Sequence, residues 1–566
     1  MTSIRSSLAG EHITLKCFAQ ALFSNGSVRK LFDRPRMTDD LHSLKVAVCV
    51  SGGADSMALA YLLQNTPHPD DQSKAAFSTQ ALIVDHGVRE ESSAEALKVC
   101  TNLSGLGISS HILPLRWSAT AVSRKNKLEG ALRAMRYQTI ATTAQHLDCK
   151  DIFAGHHADD QSETLLYRLI RSSAPAWTDL QALESCTMVP ECQSIHGVSA
   201  RSQPIPSRGT AETLLTGELL RSGMRLHRPL LPFSKHQIIK TCEFFGIPYV
   251  NDPTNADATY TTRNAVRALR QHELPTGLQS PRLNDLHRKA TLHLETTRDR
   301  ALLLAQKVLK VDFKAWSSEM VIYVLGDIKP SDALPFRYLI ARLLEMISPL
   351  QKEQLPTLLD EDALSSVLAL VNNTAHEGRV AQGPLAFASK LVMFRPLRRL
   401  SPADPVRQIR LSRQKMTTTK ITNTSLRFEA THTVDGFHMS GWLLWDNRFW
   451  LRLRCTDIEM FTRIEVRPFC TFVGKLETFM EKQYPMASRV AIETFKQSSR
   501  ESLASLPALF LDNQILKLPT ASFLKSTTDS HITCDVEYAR SERAANFLSA
   551  SEISQRESYV MQSKGD

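Results

Sequence analysis

Val46-Ala47-Val48-Cys49-Val50-Ser51-Gly52-Gly53-Ala54-Asp55-Ser56-Met57-Ala58-Leu59-Ala60 reads as a buried strand that runs into a glycine turn and then into the first turn of a helix. The apolar, β-branched run supplies the strand. Gly52 and Gly53 let backbone N–H groups approach a ligand without interference from a Cβ, and Ser51 and Ser56 add hydroxyls beside the positive end of the helix. Ser51, Gly52, Gly53, Ala54, Asp55 and Ser56 thus form an anion cradle, and its expected guest is a phosphate chain. No lysine follows the glycines, so this is not the GxxxxGK[ST] loop. An acid inside such a turn repels phosphate unless a divalent cation bridges them, which makes Asp55 a candidate for magnesium. The plainer alternative is a tight turn with Asp55 as a helix cap.

The text around this stretch alternates. Strands are predicted over Val46–Val50, Ala81–Asp85, Ser110–Leu115 and Asp151–Ala154, with helices over Asp55–Gln64, Ser92–Leu106, Leu128–Gln145 and Asp159–Arg171. Such alternation implies an α/β fold: a parallel sheet with helices on both faces and ligands at the carboxyl ends of the strands. Residues 174–221, rich in Ser, Pro and Thr, read as an insertion or long loop. An amphipathic helix runs from Ser234 to Gly246. Helical text dominates Leu283–Val308 and Pro335–Ile347, and short strand-like runs follow from about Leu385. In the clearest of these, Asp446-Asn447 is a hairpin turn, with Phe449, Leu451 and Leu453 on one side and Arg448, Trp450, Arg452 and Arg454 on the other. That second face suits base stacking and phosphate contact, or is half of an ordinary buried strand.

Four further blocks carry a resemblance. Val84-Asp85-His86-Gly87-Val88-Arg89-Glu90-Glu91-Ser92-Ser93, Gly155-His156-His157-Ala158-Asp159-Asp160-Gln161-Ser162-Glu163-Thr164, Arg228-Pro229-Leu230-Leu231 and Asn251-Asp252-Pro253-Thr254-Asn255 stand in the order and spacing of the tRNA(Ile)-lysidine synthetases. The glycine loop resembles that of the wider N-type ATP pyrophosphatases, the PP-loop superfamily. The resemblance covers about residues 44–300 and implies an adenine-nucleotide alpha-hydrolase-like fold. It also implies ATP and Mg2+ as cofactors, free L-lysine and a tRNA(Ile) with a CAU anticodon as partners, and ligation through an adenylated cytidine that releases AMP and pyrophosphate. Thiolating relatives usually carry paired cysteines, and the ten cysteines here form no CxxC, which favours nitrogen chemistry. A catalytically idle tRNA-binding scaffold would have no chemical need for Ser51, Asp55, Asp160 and Glu163.

Asp160 and Glu163 stand three apart at a helix start, so their carboxylates share one face and invite a cation; the family likeness assigns them to the incoming lysine. First-turn acids that complement the helix dipole are the alternative. Arg133 and Arg136, also at i, i+3 spacing, are candidates for clamping an adenylate phosphate or the RNA backbone, and Arg263 and Arg267 are offered similar roles. Asp85 and His86 close a strand beside the glycine loop, where the functional reading is adenosine contact and the bland one is turn chemistry. His156 and His157 point to opposite sides of a strand end, so no two-histidine metal site is expected. One of them is a candidate for nucleotide contact, against a default of packing.

The bulk numbers set bounds. At 566 residues and 42% hydrophobic content the chain has room for several domains with full cores. Unpaired cysteines suit a reducing compartment. A net charge of +10 suits a polyanionic partner, and the run from Arg395 to Lys420, with Arg398, Arg399, Arg407, Arg410, Arg413 and Lys415 against Asp404, is a phosphate-facing candidate or a solvated linker. The first ~36 residues are basic and serine-bearing, in the manner of a mitochondrial transit segment, which suits an organellar eukaryotic member of the family; a cytoplasmic protein is the alternative. The expected division is an N-terminal extension (1–43), a catalytic domain (44–275), a helical linker domain (276–385) and a C-terminal α+β region that binds tRNA (386–566). No membrane span is expected. The oligomeric state is left open, a homodimer among the options.

Overall fold

The computed structural model describes residues 11–32, 43–87, 91–115, 125–171, 180–198, 223–250, 265–266, 269, 278, 280–350, 361–372, 387–396, 407–416, 425–471, 480–524 and 532–538, with scattered positions excepted. The chain divides into two compact units, Met1–Ser199 with Gly223–Glu295, and Ala200–Ser222 with Thr296–Asp566.

The first unit is built on a sheet of six strands: β1 (Leu44–Val50), β2 (Phe77–Asp85), β3 (Ser109–Pro114), β4 (Asp151–Phe153), β5 (Cys186–Met188) and β6 (Arg225–His227). Their spatial order is β3-β2-β1-β4-β6-β5. Every neighbouring pair is parallel except β5 with β6, so the parallel, doubly covered sheet read from the sequence is the observed architecture. The helices are α1 (Leu15–Ser24), α2 (Gly26–Phe32), α3 (Ala54–Gln64), α4 (Ser92–Gly105), α5 (Lys125–His146), α6 (Ala158–Arg171) and α7 (Lys235–Phe245). Along β1, Val46, Val48 and Val50 join the core under α3 and α4, while Ala47 joins the one that contains Tyr137 and Ile140 of α5. The two-residue strand period thus explains why β1 is apolar throughout: both of its faces are covered.

The chain leaves β1 to one side and β4 to the other, so the sheet order reverses between them. This is the switch point at which open α/β sheets leave a crevice. The loop after β1 carries Gly52 and Gly53, and the loop after β4 carries His156 and His157 and runs into the first turn of α6 with Asp159 and Asp160.

Two stretches differ from their sequence readings. Residues read as part of a terminal extension form α1 and α2, whose Phe18, Leu22, Val28 and Leu31 are buried in the same core as β1 and α3, and Ile13 N donates to Thr241 Oγ1 of α7 at 2.8 Å. Part of the 174–221 stretch is likewise structural: β5 is the edge strand, and Val189, Cys192 and Val198 are buried beside α5. A three-residue strand is too short to show a period, which is why it reads as loop.

In the second unit, the predicted helices occur as α8 (Ser280–Val308, whose first turns belong to the first unit) and α9 (Ala333–Ile347). Between them, however, lie β7 (Leu309–Lys314) and β8 (Glu319–Val324), which open an antiparallel sheet of order β7-β8-β11-β10-β9, with β9 Phe387–Ser389, β10 Val392–Pro396 and β11 Arg407–Arg413. The stretch read as a helical linker therefore shares a core with strands that follow it, Val392, Phe394, Ile409 and Leu411 packing with Leu339 and Leu343 of α9. Beyond these come β12 (Leu426–Arg427), β13 (Ala430–Val434), β14 (Phe437–Ser440), β15 (Leu443–Trp445), β16 (Phe449–Cys455), β17 (Ile464–Pro468), β18 (Pro507–Leu511) and β19 (Gln514–Lys517), in sheets of order β12-β17-β18-β19 and β13-β14-β16-β15, the latter joined by β20 (Ile532–Tyr538) beside β16. The predicted hairpin is present: β15 pairs antiparallel with β16, Trp445 opposite Phe449, and the loop turns at Asp446 and Asn447, whose φ values of 46° and 53° are those of a primed turn closed by Arg448 N donating to Trp445 O at 2.9 Å. Among the described residues, no helix is long and apolar enough to cross a membrane.

Candidate functional site

The glycine loop is shaped by close contacts. Gly52 has φ +86°, and a Cβ there would lie 2.5 Å from Cγ2 of Val99 on α4, so both the backbone conformation and the space demand glycine. Gly155, after β4, is equally confined, since its Cβ would meet the Asp55 carbonyl group at 3.0 Å and Ser56 N at 3.1 Å. The loops after β1 and β4 are therefore pressed backbone to backbone. Ser56 Oγ accepts from Ser51 N at 3.2 Å and donates to Gly53 O at 3.0 Å, holding the turn closed from inside. No side chain caps the N-terminus of α3 at Gly53. Its dipole and first N–H groups are thus left without a side-chain acceptor, as an anion site requires.

Asp55, in the first turn of α3, is held by Lys235, whose Nζ lies 2.8 Å from each carboxylate oxygen. Lys235 opens α7, a helix fixed by a reciprocal cap between Ser234 and Gln237, and its backbone N donates to Asp159 Oδ2 at 2.9 Å. His157 completes the cluster. Its Nε2 lies 3.7 Å from Asp55 Oδ1 and 3.6 Å from Asp160 Oδ2, and its Nδ1 lies 3.6 Å from Asp159 Oδ2. Its backbone N donates to Asp160 Oδ2 at 2.9 Å. Burial alone would push the imidazole down, but the surrounding Asp159, Asp160 and Asp55 carboxylates outweigh it and hold His157 above the usual histidine range. Asp160 and Glu163 are both buried, at 5% exposure, on the inner side of α6.

Across the strand ends the charge is positive. Arg133 and Arg136 of α5 lie 5.0 and 5.3 Å from the ring centroid of Tyr137. Burial, and then the charge of Arg136, push His86 below the usual range. Arg228, buried after β6, donates to Glu184 O at 2.8 Å and Thr187 Oγ1 at 3.1 Å. Asp85 is engaged by its own neighbours in the fold. Its carboxylate accepts from Ser92 Oγ, from Ser93 Oγ at 2.6 Å and from Gly87 N at 3.0 Å, and these serine hydroxyls hold its pKa below the usual carboxylate range. It ties β2 to the start of α4, the turn chemistry given above as the alternative.

Thus Ser51, Gly52, Gly53, Ala54, Asp55, Ser56, Asp160 and Glu163 gather at the β1/β4 switch point, while Arg133, Arg136 and His86 stand on the α5 side. Arg263 and Arg267 lie outside the described residues. Sequence reading missed Lys235 and gave His157 too small a part; a lysine directly after an N-cap serine carries no local signal of what it will reach 180 residues away. As for magnesium, no group of three or more His, Cys, Asp or Glu side chains suited to a metal occurs among the described residues. A single carboxylate such as Asp55 fits only an ion that arrives already bound to phosphate oxygens.

The face proposed for RNA in the second unit is a different matter. Arg448 is fully buried, paired with Asp446 at 2.9 Å and donating to Ser505 O and Oγ. Arg452 and Arg454 share Asp535 of β20 at 2.7 and 2.6 Å, and Trp450 is 3% exposed. In the basic run, Arg395 pairs with Glu501, Arg410 with Glu319, and the buried Arg413 with Asp446; Arg398, Arg399 and Lys415 fall outside the described residues. These arginines are engaged within the unit, mostly by acids distant in sequence, which is why they read as free; Asp446 and Asp535 each serve two guanidinium groups, so the pairing is two to one.

Residues 27–273 match the family described as a PP-loop domain. A probable tRNA(Ile)-lysidine synthase of Schizosaccharomyces pombe is 27% identical over 444 residues, spanning 78% of this chain and 84% of that one. A tRNA(Ile)-lysidine synthase of Methylobacterium nodulans is 30% identical over 238 residues, 42% of this chain and 57% of that protein. Among solved structures, the U34-tRNA thiolase NcsA from Methanococcus maripaludis aligns over 50% of this chain and 80% of its own at 16% identity, with a TM-score of 0.30.

Proposed function

We propose that this PP-loop chain, which belongs with the tRNA(Ile)-lysidine synthetases, joins free lysine to C2 of the wobble cytidine of a tRNA(Ile) bearing a CAU anticodon. Replacing a carbonyl oxygen by an amine requires that oxygen to become a leaving group. The cytidine oxygen attacks the α-phosphorus of ATP, pyrophosphate departs, and the lysine amine then displaces AMP at the activated carbon. The protein's share is positioning and charge stabilisation.

The single observation that carries this reading is the position of His157, 3.7 Å from Asp55 on the glycine-loop helix and 3.6 Å from Asp160 on the acid-bearing helix. One imidazole spans the two loops, so a nucleotide on the first and an amine on the second would sit side by side. In this account Ser51, Gly52, Gly53 and the open N-terminus of α3 hold the phosphates, and Asp160 and Glu163 orient the lysine amine and accept its proton. Arg136 clamps the adenylate phosphate from the α5 side. Magnesium carried in on ATP would be held by Asp55 in place of Lys235, neutralising phosphate charge as it builds.

The test is incubation of the purified protein with ATP, labelled lysine and unmodified isoleucine tRNA. Label on the CAU-anticodon tRNA, and none on a GAU-anticodon control, is expected. Pyrophosphate exchange without any label on the RNA would point to a different nucleophile.

A further inference from the structure

At the far edge of the first unit's sheet, Cys186 of β5 stands directly opposite His227 of β6 in antiparallel register. His227 is 1% exposed, stacks on Phe153 at 4.9 Å, and has Nε2 2.8 Å from Asp151 Oδ1. Asp151 holds Nε2, and the other ring nitrogen, Nδ1, is buried, with no hydrogen-bond partner among the described residues, on the sheet face that Cys186 shares. The next residue, Arg228, clamps the cysteine's own segment by donating to Glu184 O and Thr187 Oγ1. Cys186 is half-buried and in no disulfide.

We propose that Cys186, paired with the Asp151-held imidazolium of His227, is the peroxide-reactive thiolate of this protein and a site of reversible oxidation. Cysteine reactivity follows thiolate content and access, and this cluster supplies both. The charged groups around Cys186 are His227 and Arg228 on β6 and the turn after it, Asp151 on β4 and Glu184 on its own segment; Arg133 and Tyr137 of α5 stand beyond Arg228. Burial would lower His227, but Asp151 and Cys186 together raise it to about 9, so the ring is a cation at neutral pH. Other cysteines differ. Burial raises Cys49, Cys149 and Cys242 to about 11 and Cys192 and Cys534 to about 12, keeping them as inert thiols. In the step itself, the Cys186 thiolate attacks one oxygen of hydrogen peroxide. The S–O bond forms as the O–O bond breaks, sulfur is oxidised to the sulfenic acid, and the leaving hydroxide takes a proton from solvent to give water.

The test uses the full chain. Iodoacetamide labelling of each cysteine is followed by mass spectrometry from pH 6 to pH 9, and sulfenic acid formed by dilute hydrogen peroxide is trapped with dimedone. Alkylation of Cys186 at least about tenfold faster than of the half-buried Cys100 at pH 7, already near its plateau there, is expected, with the dimedone adduct on Cys186; an ordinary thiol gains reactivity up to about pH 8.5. Asp151→Asn should slow Cys186 alkylation about tenfold at pH 7 and restore an ordinary pH profile. Because the wild-type profile needs no variant to fold, it decides by itself: a Cys186 rate that matches Cys100 and climbs through pH 8.5, or a dimedone adduct confined to other cysteines, overturns the proposal.

Discussion

Gly52 and Gly155 show how much of the site is decided by missing atoms. An alanine at position 52 would have to hold φ +86° and place its methyl 2.5 Å from Val99, a combination that costs about 1–3 kcal/mol. Gly52→Ala is expected to weaken ATP binding and lower the melting temperature together, as read by calorimetric titration and thermal unfolding; wild-type values for both would remove the close approach from the account. Asp160 offers the sharper functional test. Asp160→Asn keeps the shape and the hydrogen bond from His157 N but loses the charge that orients an amine. Lysine transfer should fall by at least about 10²-fold, while the ATP dissociation constant changes by less than about threefold. Unchanged turnover would take this carboxylate out of the mechanism. Residue identities of this kind were legible in the sequence because glycine and paired acids carry local meaning. Lys235 was not, since its meaning is the distant carboxylate of Asp55.

Elements were read well where a period or a cap marked them. β1, α3, α4 and the β15/β16 hairpin lie within a few residues of their predicted limits, as each is bounded by glycine, aspartate or asparagine with a defined turn geometry. The readings that failed concern what covers an element. The arginine face of β16 reads either as a phosphate-contacting surface or as half of a buried strand, and β20 lies beside it and supplies Asp535 to both Arg452 and Arg454. Asp446 is the tightest such knot, 2% exposed between Arg413 and Arg448. Asp446→Ala leaves two buried guanidinium groups without their acid and should destabilise the second unit by about 3–5 kcal/mol, measured as a shift of the urea midpoint; a loss below about 1 kcal/mol would mean the pair behaves as a surface bridge. In the first unit, deletion of residues 1–32 removes Phe18, Leu22, Val28 and Leu31 from the core. At about 1.5–3 kcal/mol for each such side chain, the truncated chain is expected to be insoluble or to bind a hydrophobic dye. A soluble product with unchanged melting would show that α1 and α2 are dispensable.

For the whole molecule, the net charge of +10 says less than the pairing of its charges, because much of the described arginine content in the second unit is matched to acids within it. One buried pair also sets a pH dependence. His227 is raised from 6.5 to about 9 in the folded chain, so between those values the native state binds more protons than the unfolded one. Its contribution is therefore full below about pH 6.5 and is lost as pH rises through about 9. A Cys186 thiolate in the folded chain offsets that extra proton until the unfolded thiol ionises near about pH 8.5, so the urea midpoint should fall chiefly above about pH 8.5 and fall less in Asp151→Asn; an equal decline in both would assign it to other groups. The central claim is that the glycine loop turns the innermost phosphorus of ATP into the electrophile. It is tested most directly by resolving the nucleotide products formed with lysine and the CAU-anticodon tRNA present. AMP and pyrophosphate in equal amounts, matching the lysine attached to RNA, are predicted, whereas ADP and inorganic phosphate would contradict the account.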